Sequence, residues 1–89
     1  MSNINTNALA QFKLAVTSAL DNALAVVLTT DAAKLDDSED KFALIRANRI
    51  VWNACETLSG KSIPTQAKVE ASDVYKASKA RLNAKIQAK

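Results

Sequence analysis

The chain has no histidine, and it has one residue each of glycine, proline, cysteine, tryptophan and tyrosine among 89 residues. Without histidine it lacks the commonest general base and the commonest metal ligand, and an imidazole triad is impossible. A single glycine excludes the glycine-rich loops that bind phosphates. One cysteine can form neither a thiolate zinc site nor an intrachain disulfide. We therefore predict a protein that is not an enzyme and has no cofactor and no metal site.

The composition favours α-helix. Hydrophobic residues make up 48% of the chain, alanine is abundant, and helix-breaking residues are scarce. A chain of this length forms one modest core of marginal stability, which small proteins often supplement by association. We predict an all-α fold in a single domain, residues 1–89. It is a three-helix bundle, or a helical hairpin plus a third helix, and self-association completes it.

The clearest helical segment covers residues 38–59. Asp37 or Ser38 can cap its start, and Glu39 and Asp40 place negative charge in the first turn, where the helix dipole favours it. Its apolar residues recur at helical spacing and form one face. Gly60 follows the last apolar position and can adopt the left-handed conformation that ends helices. This face requires a partner surface.

Residues 8–29 form a second predicted helix, with a broad apolar face. The face is wider than one neighbouring helix needs, so two neighbours or a second copy of the chain should cover it. Lys13 and Asp21 interrupt the apolar run, and no targeting signal precedes it. We therefore expect no membrane span.

A third helix is predicted over residues 65–87. Gly60 and Pro64 indicate a turn before it, and Thr65 can cap it. The segment IPTQAKVEASDVYKASKARL resembles the helix-turn-helix of bacterial repressors, with residues 65–71 as the first helix, 72–73 as the turn and 74 onward as the reading helix. Because this turn would be short and contain no glycine, an unbroken helix is the simpler prediction.

Two further features have structural explanations. Cys55 lies on the apolar face of the 38–59 helix, which predicts a buried thiol in a reducing compartment, by default the cytoplasm. Residues 31–40 contain five acids and one lysine. They lack the glycine and the alternating ligands of a calcium loop, so we interpret them as solvated charge near a helix start.

Two functional interpretations remain. The first is a regulatory module that binds protein, either a second copy or an unidentified partner. Its candidate interface residues are Phe12, Val16, Leu20, Leu24, Ile45 and Trp52. Trp52 could be an interface anchor or could widen the core face, and the sequence does not separate these alternatives. Proteins of this size without catalytic motifs are frequent among accessory factors of phages and mobile elements.

The second interpretation is a nucleic-acid-binding regulator that uses its basic C-terminal third. Residues 61–89 contain seven bases and two acids. The candidate contacts are Arg46, Arg49, Lys68, Tyr75, Lys76 and Lys79, with tyrosine as a stacking group. Alternatively, the lysines are a solvated face that complements the negative end of a helix dipole.

Overall fold

The computed structural model describes the backbone of residues 6–87 and the side chains of residues 7–85. Its elements are α1 (Thr6–Thr29), a short 3-10 turn (Ala32–Lys34), α2 (Ser38–Ser59), α3 (Gln66–Ala71) and α4 (Asp73–Gln87). There is no strand within residues 6–87, so the all-α prediction is confirmed. The predicted bounds of α2 agree with the structure, and α1 begins two residues earlier than predicted.

The ends of α2 are fixed by local hydrogen bonds. At its start, the Asp37 side chain accepts a hydrogen bond of 2.8 Å from the backbone N–H of Glu39. At its end, Gly60 has a φ of 75° in the left-handed region, and its N–H donates to the carbonyl of Glu56 at 2.9 Å. These groups would otherwise be unpaired at the helix ends. The capping signals in the sequence therefore set the length of α2.

The two long helices form a hairpin, and the last helix packs beside it. Residues 30–37 connect α1 to α2, and α4 contacts both helices. The buried core residues are Leu20, Ala23, Leu24, Ala47, Val51, Ala54, Cys55, Ile63, Val69, Tyr75 and Ser78. Ile50, which the sequence pattern places on the apolar side of α2, is exposed instead because it lies at the edge of that face.

The prediction of an unbroken third helix is wrong, because Ser72 separates α3 from α4. Its backbone is extended, with φ −69° and ψ 150°. Its hydroxyl donates to the carbonyl of Val69 at 2.7 Å and accepts from the N–H of Tyr75 at 3.2 Å. Ser72 therefore satisfies backbone groups at the end of one helix and at the start of the next.

The break brings two opposite faces of the segment into one core. Val69 and Ser78 are nine residues apart, so at about 100° per residue they would lie on opposite sides of a continuous helix. Both are fully buried in the structure. The interruption at Ser72 changes the direction of the chain and allows α3 and α4 each to turn a face inward.

The segment between α2 and α3 is held by two side chains of α2. The indole Nε1 of Trp52 donates to the carbonyl of Ile63 at 3.0 Å, and the N–H of Ile63 donates to Oε2 of Glu56 at 2.8 Å. Trp52 and Glu56 are one helical turn apart and so lie on the same side of α2. We call these two bonds the Ile63 clamp. Trp52 is partly buried against the core, so it widens the core face.

Candidate interaction surfaces

The N-terminal part of α1 extends beyond the packed core. Every residue from 7 to 15 is exposed, and we call this segment the α1 overhang. Leu9 and Phe12 are 52% and 54% exposed, although they lie on the same side of α1 as the buried Leu20. The core stripe of α1 therefore continues into a region where no described helix covers it.

The predicted protein interface divides between this surface and the core. Phe12 is on the overhang, and Val16 is partly buried beside the core. Leu20 and Leu24 have no exposed surface, so the prediction that they contact a partner is wrong. They occupy the part of the α1 stripe that α2 and α4 already cover. Ile45 lies elsewhere, on the outer face of α2, and is 64% exposed.

The outer face of α2 carries a shallow groove that contains two of the predicted residues. Ile45, Arg49 and Trp52 line it, together with Asn48, Asn53 and Glu56. One turn before the groove, the Arg46 guanidinium carbon lies 5.2 Å from the centre of the exposed Phe42 ring. This distance is within the range of a cation–π contact. Arg46 and Arg49 are exposed on this face of α2.

The predicted nucleic-acid contacts are only partly accessible. Lys68, Lys76 and Lys79 are exposed. Tyr75 is a buried core residue, so the prediction that its ring stacks on a base is wrong. Burial raises the pKa of its hydroxyl, and the nearby Glu70 adds to this effect. The break at Ser72 coincides with the turn of the helix-turn-helix resemblance, but it is one residue long, whereas that motif uses a turn of three or four.

A concave surface between the α2–α3 connection and α3 brings two lysines together. Lys61, Ser62 and Ile63 form one side, and Lys68, Ala71 and Ser72 form the other, with Pro64 between them. We call this surface the lysine cleft. No carboxylate is among these lining residues. Lys68 was a predicted nucleic-acid contact, but its place in a cleft with Lys61 depends on tertiary packing that the sequence pattern does not show.

A polar cluster joins α1 to α4. Asp21 of α1 accepts two hydrogen bonds from Arg81, at 2.8 and 2.9 Å, and a third from the hydroxyl of the buried Ser78. The hydrogen bonds from Arg81 lower the pKa of the Asp21 carboxyl, and the one from Ser78 acts in the same direction. Ser78 and Arg81 are thus both paired with Asp21. We interpret the cluster as a structural link between the helices.

Cys55 and two carboxylates of the acidic segment have structural roles in the fold. Cys55 is fully buried, and burial raises the pKa of its thiol, which disfavours the reactive thiolate. Asp31 and Asp37 of the acidic segment cap the starts of the 3-10 turn and of α2. Within the described part of the chain, no three His, Cys, Asp or Glu residues form a group that could hold a metal ion.

Helix α1 also meets the length and composition of a membrane span. Residues Asn7–Thr29 pass this test, and 17% of the most apolar window is buried in the structure. Soluble core helices and N-terminal signal sequences have the same properties. In the structure, Leu20, Leu24 and Asp21 tie the second half of this helix to α2 and α4.

Comparison of the chain with protein-family models, curated proteins and solved structures found no match of any of the three kinds.

Proposed function

We propose that this protein is a non-enzymatic interaction module that pairs with a second copy of itself through the α1 overhang. The observation that carries the proposal is the continuation of the buried α1 stripe into Leu9 and Phe12, which are more than half exposed. Large exposed apolar side chains grouped on one face mark association surfaces. A regulatory role in the cytoplasm fits this activity.

The composition of the overhang favours a second copy as the occupant. A two-fold pair requires a surface that complements itself, and this face of α1 combines the large ring of Phe12 with the exposed small side chains of Ala15 and Ala19. Lys13 is the one charged residue between positions 7 and 20, so two copies bring little like charge together. An antiparallel arrangement also places the opposite ends of the helix dipoles side by side.

The size of the surface sets the strength of the pairing. A standard interface buries about 800 Å² on each partner, from roughly 20–30 residues. The overhang and the next turn of α1 cover residues 7–19, and only those on the Phe12 side would be in contact, so this surface is much smaller than a standard interface. We therefore expect a pair that forms with increasing concentration and dissociates on dilution.

Light scattering coupled to size-exclusion chromatography tests the proposal. One chain has a mass of 9.5 kDa, and the wild type should approach twice that mass at high concentration. Phe12→Asp should keep the protein at the mass of one chain, because a carboxylate would be desolvated at the centre of the contact.

Leu14→Asp is the matched control. Leu14 lies in the same overhang and is 63% exposed, but it is about 200° around the helix from Phe12. It should leave pairing unchanged. A wild type that stays at one-chain mass over the whole concentration range would contradict the proposal, as would equal dissociation by both variants.

A further inference from the structure

We infer that the lysine cleft binds the phosphodiester backbone of nucleic acid, a binding function separate from pairing through α1. Lys61 and Lys68 both line this concavity, which has a volume of about 390 Å³. Pockets of a few hundred Å³ are the usual size for small ligand groups. The hydroxyl of Ser62 adds a hydrogen-bond donor on the same surface.

Three acids lie close to the cleft along the chain: Asp73, which follows the lining residue Ser72, Glu70 and Glu56. Asp73 lies in the first turn of α4 and forms no ion pair with either lysine in the described part of the chain. Glu70 accepts a hydrogen bond of 2.9 Å from the side chain of Gln66. It lies about 200° around α3 from Lys68. The Glu56 carboxylate accepts the N–H of Ile63 in the clamp. The positive charge of the two lysines is therefore not cancelled by an ion pair with these three carboxylates.

The charge continues from the cleft onto α4, which favours a polymer over a single anion. Ser72 lines the cleft, and its carbonyl accepts the N–H of Lys76, so Lys76 stands one helical turn further on. Lys79 follows at the next turn and is also exposed. A series of cations along a surface matches the regularly spaced phosphates of a nucleic-acid strand.

The test is fluorescence anisotropy with a labelled DNA duplex of arbitrary sequence, measured from about 50 to 200 mM salt. Each phosphate contact contributes about −0.9 to the slope of log K against log salt. The double variant Lys61→Glu/Lys68→Glu should bind more weakly and reduce that slope by about two. Over a fourfold increase in salt concentration, the affinity of the wild type should therefore fall about ten times more than the affinity of the variant.

Lys34→Glu/Lys41→Glu is the control with the same change in net charge. Both lysines are exposed, and the 22 residues of α2 place Lys41 about 30 Å from Lys61. This variant should keep the wild-type slope. Circular dichroism checks that each variant remains folded.

Three results would overturn the inference. Absence of binding at low salt would remove nucleic acid as a ligand. Binding that the cleft and control variants reduce equally would show a response to net charge alone. Lysine-dependent binding to vesicles of phosphatidylserine and phosphatidylcholine, without binding to DNA, would assign the cleft to lipid headgroups.

Discussion

Removing the indole N–H of Trp52 tests how strongly the Ile63 clamp holds the segment between α2 and α3. In Trp52→Phe the ring still packs beside the core, but the carbonyl of Ile63 loses its 3.0 Å hydrogen bond. Ile63 itself is 6% exposed. An unpaired polar group in such a site costs about 1–3 kcal/mol. We therefore expect the free energy of unfolding to fall by about 1–3 kcal/mol.

Glu56→Ala breaks the other half of the clamp. The N–H of Ile63 then loses its 2.8 Å bond to a carboxylate, and hydrogen bonds to charged groups contribute about 1.5–3 kcal/mol. Glu56 is partly exposed, so water can replace the lost acceptor and the loss should lie near the lower end. The two changes act on one peptide segment, so the double variant should show a coupling energy of about 0.5 kcal/mol or more.

Urea unfolding followed by far-UV circular dichroism measures all four proteins, since Trp52 is the sole tryptophan and its fluorescence is lost in the variant. The neighbouring exposed residue Asn53 provides the control, and Asn53→Ala should change stability by less than about 0.5 kcal/mol. A loss below about 0.5 kcal/mol for Trp52→Phe would refute the clamp as a stabilising contact. Strict additivity of the two variants would show that its halves act separately.

Two other contacts give predictions of different kinds. Gly60→Ala should lower the free energy of unfolding in urea by about 1–2 kcal/mol, because alanine is strained at a φ of 75°. An added Cβ meets no atom within 4 Å, so a steric clash does not contribute to this loss. An unchanged free energy of unfolding would contradict the left-handed cap. The pKa of Asp21 is lower in the folded protein than in the unfolded chain. The ionised carboxylate therefore stabilises the fold fully above its ordinary pKa of about 3.9, and this stabilisation is lost as the pH falls through the pKa of the folded state. Asp21→Asn should therefore lose less stability than the wild type between about pH 5 and 3, and parallel losses would contradict this.

Helix α2 could be predicted from sequence because its signals are local. The Asp37 cap, the acids of the first turn and Gly60 act within a few residues of the ends that they define. Each signal agrees with the apolar periodicity between them. The all-α class follows from the same agreement over most of the chain.

The break at Ser72 was present in the sequence only as an alternative, a turn at residues 72–73, and tertiary packing decides between that turn and an unbroken helix. Strong helix formers such as Ala71 and Lys76 stand near weak ones such as Asp73, so propensity alone does not place a break there. The burial of both Val69 and Ser78 requires the change of direction. A signal was present, since a serine followed directly by Asp73 is typical of a helix start.

The α1 stripe shows a different limit of sequence analysis. Periodicity places Phe12 and Leu24 within one broad apolar face of α1, about 120° apart, but it does not show how far the neighbouring helices extend along that face. Leu24 is covered by the core, whereas Phe12 lies in the overhang. This difference in burial follows from the relative positions of the helices. In the sequence, residues of the candidate interface and residues of the core therefore show the same apolar spacing.

The α1 overhang and the lysine cleft lie at the same end of the molecule. Because α1 and α2 form a hairpin, the N-terminal part of α1 lies near the end of α2, and Lys61 follows that end directly. Pairing of two overhangs would therefore bring two lysine clefts into one assembly. Phosphates on one strand could then contact both clefts, and the second contact would form at a high effective concentration. Pairing and nucleic-acid affinity would be linked, so that each strengthens the other.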